Sequence, residues 1–183
     1  SADGTLLAAS ETCWTIRAAP REMADADVEP AARALSEILE LDYADTLAKF
    51  SQRTSNDCLL RRRVGREMAD AVRDWCRENG VSGVQIRQDT KRVYPEGSFM
   101  GGILGFTDVD NAGLWGLELR YNDELTGENG RILTAKNAWG YDMPTHYQTL
   151  VDAVPGNTLT LTIDANIQHW LESALSAAVA EHH

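Results

Sequence analysis

Apolar residues recur with a helical period in the middle of the chain. The spacing predicts a helix beginning at Pro30, a second helix over 43–50 and a third ending at Asn79-Gly80, where glycine favours a helix C-terminus. The positions that define the first and third helices are Ala31, Leu35, Ile38, Leu39, Val64, Met68, Val72 and Trp75. The region from 30 to 80 is therefore predicted to form a largely helical head.

Strand patterns lie on both sides of this helical region. A turn at Asp3-Gly4 and short segments at 6–9 and 12–18 predict a hairpin. Further strands are predicted at 58–64, 130–135 and 146–151, and a weak alternation over 81–87 leads to another strand candidate at 92–95. The cleanest alternation runs from 158 to 163. Strands at both ends with helices between them favour an α+β fold.

Glycines are frequent and closely spaced in the stretch from 92 to 130. The pattern predicts one or two helical turns over 98–104 and a helix over 114–125 that Gly127 stops. Glycines at such close spacing imply a backbone with several demanding turns. Asp164 is a good N-cap for a closing helix, whose predicted apolar stripe is Ile167, Leu171, Ala174, Leu175 and Ala178.

These elements suggest three parts. Residues 1–29 and 81–163 form a β-rich base, 30–80 form the helical head, and 164–183 form the closing helix. The first residues read as the middle of a turn and strand, and the last helix carries no visible C-terminal cap. We therefore expect the sequence to be a piece of a longer protein.

The composition narrows the function classes. A formal net charge of −11 argues against nucleic acid and against docking by charge on an anionic membrane. No apolar run approaches the ~20 residues of a membrane helix. The cysteines Cys13, Cys58 and Cys76 make no C-x-x-C pair, and we interpret them as buried small apolar residues.

Catalytic and metal-binding motifs are missing from the sequence. A serine nucleophile with a lysine base needs Ser-x-x-Lys, but the residues three before the lysines are Thr46, Gln88 and Leu133. Lys-Thr-Gly is also absent, and no H-E-x-x-H occurs among the histidines. The histidines are His146, His169, His182 and His183. We predict no catalytic residue, no metal and no cofactor.

Glu118 is the acidic residue of most interest. One interpretation is an exposed helical glutamate paired with Arg120 or Arg131. The other is a partly buried carboxylate that requires an arginine, because a lone buried charge is too costly. Arg92 is the candidate partner.

Five short motifs occur in an order that resembles the N-terminal pedestal (dimerisation) domain of class B penicillin-binding proteins. The matching residues are Gly4, Leu7, Ala8 and Ser10; Arg92, Tyr94 and Pro95; Gly113, Gly116, Leu117, Glu118 and Tyr121; Leu125, Gly127 and Gly130; and 161–164 with Ile167 and Gln168. The likeness spans nearly the whole chain, is weakest between 28 and 80, and is greatest for sporulation-type members.

The resemblance implies a function for the chain. It implies a non-catalytic pedestal fold in which Arg92 and Glu118 brace the base, and in which Asp164 and Gln168 mark the junction with a transpeptidase domain. It also implies a membrane-anchored parent D,D-transpeptidase acting outside the cytoplasmic membrane in cell wall or spore cortex synthesis. The implied partners are a polytopic peptidoglycan glycosyltransferase of the shape, elongation, division and sporulation type, the parent's own transpeptidase domain and a possible second copy.

Two other interpretations come from different function classes. A stand-alone extracytoplasmic module for glycan or peptide would use Trp115, Tyr121, Trp139 and Tyr141 to line a groove, although aromatic residues at such spacing are more often core. A free-standing hydrolase would use Glu118 or a cysteine. The hydrolase interpretation lacks any base near a nucleophile in sequence.

Overall fold

The computed structural model describes residues 1–128, 130–133 and 149–182 and shows an α+β protein, as predicted. The chain divides into two compact units. We call residues 10–93 the sheet unit, and residues 1–9 with 94–183 the glycine unit. The predicted head, 30–80, lies wholly within the sheet unit, and the predicted domain boundaries stay a prediction.

The sheet unit is built on three strands. They are β1 (Ala9–Ala18), β2 (Cys58–Val64) and β3 (Val84–Val93), in the order β2-β1-β3. β1 and β2 are antiparallel, with Trp14 opposite Val64 and Ile16 opposite Arg61. The register slips by one residue between these pairs, and Arg63 there has a φ of 56°. An extra residue of this kind is a β-bulge, which bends and twists the strand.

Three helices cover this sheet. They are α1 (Val28–Ile38), α2 (Tyr43–Ser51) and α3 (Arg66–Asn79), preceded by short 3-10 turns at Pro20–Glu22 and Asp25–Asp27. α2 is capped by the Asp42 carboxylate, which accepts a hydrogen bond from the backbone N–H of Asp45 at 2.9 Å. α3 ends at Asn79, as predicted, and Gly80 follows it in the left-handed conformation. α1 begins two residues before Pro30, because proline is tolerated within the first turn of a helix.

The hydrophobic core of the sheet unit lies between the sheet and these helices. Ile16 and Leu60 contribute from the strands, and Leu35, Phe50 and Val72 contribute from the helices. All five are buried. The periodic apolar positions of the sequence therefore define the core of this unit.

The predicted N-terminal hairpin is wrong. Residues 6–8 lie outside any strand, and β1 is one continuous strand whose antiparallel partner is β2. The Asp3-Gly4 turn does form, with Gly4 at a φ of 88°. Leu7 is buried with Met100 and Leu104 instead of pairing along β1. The short apolar run therefore reflects burial in the glycine unit.

The glycine unit contains short elements and one long helix among its described residues. They are α4 (Gly101–Leu104), α5 (Gly116–Arg120), α6 (Asn122–Leu125) and α7 (Ala165–His182), with strands β4 (Arg131–Leu133) and β5 (Thr149–Val151). β4 pairs antiparallel with β5. The helix predicted over 114–125 is two helices, because Tyr121 adopts φ −114° and ψ 25° between them.

Two further predictions differ from the structure. Residues 158–163 form no strand, although Leu161 and Ile163 pack against the Leu7 cluster on alternate positions. The α7 stripe is exposed, with Ile167, Leu171 and Leu175 each more than half accessible. Parts of the strands predicted at 130–135 and 146–151, together with Lys136, Trp139, Tyr141, His146 and His183, lie outside the described residues.

Candidate functional site

Three of the residues that carry the family resemblance, Leu7, Tyr94 and Leu117, meet in a small hydrophobic cluster of the glycine unit. Leu7, Met100 and Leu104 are its buried members. Tyr94 and Leu117 of the predicted motifs pack against it. Pro95 follows in an exposed turn, in which the backbone N–H of Gly97 donates to the carbonyl of Tyr94 at 3.0 Å. Packing against this cluster holds the segment from 94 to 121 in place.

Gly105 and Gly116 allow two backbone segments to approach closely. Both have positive φ, 80° and 61°. A Cβ on Gly105 would overlap the backbone carbonyl of Trp115, and one on Gly116 would lie 2.5 Å from the carbonyl oxygen of Ile103. Only glycine satisfies both the left-handed backbone and the missing space. The end of α4 is thereby held against the start of α5.

Gly113 makes a second close approach. A Cβ there would overlap the backbone carbonyl of Glu118. The Gly113 N–H donates to the side-chain oxygen of Asn122 at 2.8 Å. Gly113 thus packs the hairpin against α5 and α6, and Gly116, three residues on, begins α5.

Residues 105–116 form a tight hairpin between these glycines. The Leu114 N–H donates to the Phe106 carbonyl at 2.9 Å, and Thr107 bridges to Gly113. At the tip, the Asp108 carboxylate accepts hydrogen bonds from the N–H groups of Asp110 and Ala112 at 2.8 and 2.9 Å. An aspartate that bonds its own turn in this way fixes the loop backbone.

Glu118 lies in α5 and is only 6% exposed. An ionised carboxylate at this depth needs charged or hydrogen-bonding partners. Arg120 places its guanidinium 5.7 Å from the ring centroid of Tyr121. Arg92 lies near the end of β3, and its Nη1 is 3.3 Å from the Ser10 hydroxyl. The pairing of Arg92 with Glu118 stays a prediction.

Gly127 and Gly130 follow the same principle further along the chain. A Cβ on Gly127 would overlap the carbonyl of Val154, and one on Gly130 would lie 2.8 Å from the carbonyl oxygen of Val151. Glu128 between them exchanges two backbone hydrogen bonds with Val154, at 2.8 and 2.9 Å. These contacts hold the Leu-x-Gly-x-x-Gly motif against 151–156.

Asp164 and Gln168 lie at the start of α7. The Asp164 carboxylate caps the helix by accepting from the N–H groups of Asn166 and Ile167 at 2.8 and 3.2 Å. Gln168 donates to Glu172 at 3.0 Å, and the same Glu172 oxygen accepts from the Met100 N–H at 3.0 Å. Glu172 therefore ties α7 to the turn before α4.

Sequence reasoning missed some of these contacts. The run from Asp108 to Asn111 is an Asx-turn signal and was visible in the sequence. Glu172 had no local signal, because it bonds a backbone group 72 positions away. Asn122 was likewise hidden, since its acceptor role depends on the close approach of Gly113.

The described residues offer little reactive chemistry. Among the described residues, no cluster of three or more His, Cys, Asp or Glu side chains is placed to hold a metal ion. Cys13 is buried as predicted, whereas Cys58 and Cys76 are only half-buried. Burial raises the pKa of all three thiols, which disfavours the nucleophilic thiolate. Within the same part of the chain, no helix is both long and apolar enough to cross a membrane.

Comparison with known proteins identifies the class that this framework defines. The model of the penicillin-binding protein dimerisation domain matches residues 1–161. The chain belongs to this family, and the predicted resemblance is confirmed.

Individual relatives agree with this assignment. The chain is 28% identical to stage V sporulation protein D of Bacillus subtilis over 99% of its own length and 27% of the relative. It is 29% identical to the peptidoglycan D,D-transpeptidase FtsI of Escherichia coli over 97% of the chain and 30% of the relative. The chain thus spans less than a third of these curated relatives.

A solved structure shows the same fold. It is a complex between penicillin-binding protein PBP2 and MreC from Helicobacter pylori, with a TM-score of 0.66 and 16% identity. The match covers 96% of this chain and 36% of the solved chain. The predicted dimerisation-domain fold is therefore confirmed.

Proposed function

We propose that this chain is the non-catalytic pedestal of a membrane-anchored D,D-transpeptidase, and that it positions the transpeptidase domain outside the cytoplasmic membrane. The proposal rests on the way in which the glycines of the segment 92–130 are used. Its glycines serve backbone contacts at Gly105, Gly113 and Gly116. Such contacts give a rigid support, whereas a catalytic site needs a nucleophile with an adjacent base.

The start of α7 supports the positioning role. Asp164 and Gln168 anchor the helix to its own unit through local hydrogen bonds and through Glu172. Trp170, Leu171 and Leu175 remain exposed along the same helix. An apolar stripe of this length favours burial against further protein. We assign this stripe to the junction with the parent's transpeptidase domain.

We assign partner binding to the pedestal as well. The structural relative from Helicobacter pylori was solved in complex with MreC. By family analogy, the partner proposed for this chain is a polytopic glycosyltransferase, with a second copy of the chain as a further possible partner. The likeness to stage V sporulation protein D supports a role in cell wall or spore cortex synthesis.

Labelling with a fluorescent penicillin tests the non-catalytic assignment. The purified chain should take up no covalent label, because no serine occupies the position three before any of its lysines. The matched control is the full-length parent, which should be labelled on the serine of its transpeptidase domain. Stoichiometric label on the chain itself would overturn the proposal.

A further inference from the structure

The hairpin of the glycine unit and the flanking helices α4 and α5 carry exposed apolar side chains, which we together call the hairpin surface. Its members are Ile103, Phe106, Val109, Leu114, Trp115 and Leu119. Trp115 is 59% exposed and Phe106 is 54% exposed. Large apolar groups grouped on one structural element mark interaction sites more often than scattered ones do.

The backbone places these side chains together. Phe106 and Leu114 are opposite each other across the hairpin, so their side chains lie on one face. Leu119 follows Trp115 by four positions, and its N–H donates to the Trp115 carbonyl at 3.1 Å. Trp115 is the N-cap residue of α5, so it lies directly before the helical turn that contains Leu119. Two apolar pairs therefore adjoin at the Gly105–Gly116 contact.

The hairpin surface is also pre-organised. Gly105 and Gly116 bring its two sides into backbone contact, and Gly113 packs against the backbone of α5. The Asp108 carboxylate fixes the tip through two hydrogen bonds. A surface whose backbone is already ordered loses little conformational entropy on binding. Such rigidity suits a docking surface.

The charge around the hairpin surface indicates what kind of partner binds there. No lysine or arginine occurs between Arg92 and Arg120, a stretch that contains Glu96, Asp108 and Asp110. By sequence, the glycine unit carries thirteen acidic and three basic residues, whereas the sheet unit carries fifteen and fourteen. Nearly all of the net charge of −11 therefore resides in the unit that bears the hairpin.

We propose that the hairpin surface docks a partner protein whose apolar contact region is bordered by lysine and arginine. This inference rests on the proposed pedestal role and specifies the chemistry of its partner. A second copy would place two strongly acidic units together, and an anionic membrane would repel the acidic tip. A basic border gives charge complementarity, and the aromatic and aliphatic side chains supply the buried centre.

The test uses the purified chain and a fluorescent amphipathic helical peptide made of leucine and lysine. Binding is followed by anisotropy. We expect Trp115→Ser and Phe106→Ser to weaken binding by about tenfold or more, as for central interface aromatics. Leu6→Ser is the control, because Leu6 is 60% exposed in the same unit, lies outside both the hairpin surface and the α7 stripe, and should leave the affinity unchanged. Equal losses for Trp115→Ser and Leu6→Ser would overturn the proposal.

A second pair of variants tests the charge. Asp108→Asn with Asp110→Asn keeps the Asp108 acceptor oxygen of the turn and should weaken binding several-fold at low salt. Asp123→Asn with Glu124→Gln removes the same charge from exposed positions of α6 and should have a smaller effect. A leucine–glutamate peptide should not bind. Binding of both peptides alike would contradict the basic border.

The remaining occupants give distinct results. Tighter binding to anionic vesicles than to the peptide, or dimerisation abolished by Trp115→Ser, would assign the surface to lipid or to a second copy. Peptide binding that is lost in the full-length parent would assign it to the parent's own remaining domain. Each of these results overturns the inference. Failure of the pedestal proposal is distinguished separately, by penicillin label on the chain itself.

Discussion

At the residue scale, Gly116 and Gly97 form a natural pair for a test. Both have a φ of 61°, but open space surrounds a Cβ on Gly97, whereas one on Gly116 would lie 2.5 Å from the Ile103 carbonyl oxygen. Gly97→Ala should cost only the left-handed backbone strain, about 1–2 kcal/mol. Gly116→Ala adds the steric overlap and should cost about 3 kcal/mol or more.

Urea unfolding of the two glycine variants provides the measurement. The variants are compared by their free energies of unfolding, with unchanged slopes required for the comparison. Gly102→Ala, at a position with open space and no positive φ, should be near neutral. Equal losses for the Gly97 and Gly116 variants would show that backbone approach contributes nothing to stability.

Glu118 permits a second residue-level prediction. Glu118 is 6% exposed, so Glu118→Ala leaves the group that pairs with this buried carboxylate without its partner. The substitution should lower the free energy of unfolding by about 1–3 kcal/mol. If Arg92 is that partner, the double variant with Arg92→Ala should lose less than the sum of the single variants. A coupling energy below about 0.5 kcal/mol would contradict the pairing. An unchanged melting temperature for Glu118→Ala would return Glu118 to the role of an ordinary helical glutamate.

The residue scale also shows where sequence reasoning stops. The glycine spacing predicted that the backbone makes demanding turns, and positive φ at Gly105 and Gly116 fits that expectation. The spacing did not indicate which segments meet. A glycine in the sequence shows that a side chain would not fit, but not which part of the chain occupies that space. Trp115 illustrates the converse, since an aromatic residue that fitted either core or groove is exposed on a hairpin.

At the element scale, the sequence predicted correctly those helices and strands whose ends are determined by nearby residues. β2 occupies Cys58–Val64 as predicted, and α3 ends before Gly80 because glycine adopts the left-handed conformation there. The prediction of a strand at 158–163 was wrong. Alternating apolar residues indicate that one face of a segment is buried, but they do not show that another strand pairs with it. Leu161 and Ile163 pack on alternate positions without joining a described strand.

The cap of α7 provides an element-level prediction. The helix buries no residue, so its first turn depends on the Asp164 carboxylate and the Glu172 contact. Asp164→Ala should cost about 1 kcal/mol of local stability and speed hydrogen exchange at the first helical amides. Asp164→Asn retains the acceptor and should behave like the unaltered chain. Unchanged exchange at Asn166 and Ile167 in the alanine variant would contradict the capping role.

At the scale of the whole molecule, the two units differ in core size and in charge. Among the described residues, the sheet unit has a cluster of twelve buried hydrophobic residues, and the glycine unit has a cluster of three. Net charge is also concentrated in the glycine unit, with an excess of ten acidic residues against one in the sheet unit. Self-repulsion of like charges destabilises a compact state. The glycine unit is therefore the part whose stability should depend on salt.

Native-state hydrogen exchange in low and high sodium chloride tests this dependence. Salt screens repulsion between exposed charges. It should therefore slow exchange at the amides of Leu104 and Tyr121, which are hydrogen-bonded within the glycine unit, by about threefold to tenfold, on the order of 1 kcal/mol. The amides of Leu35 and Val72, buried in the sheet unit, serve as internal controls and should change little. An unstructured peptide corrects for the effect of salt on intrinsic exchange. If all four amides slow equally, charge asymmetry between the units has no influence on local stability, and the acidic glycine unit owes its order to its backbone contacts alone.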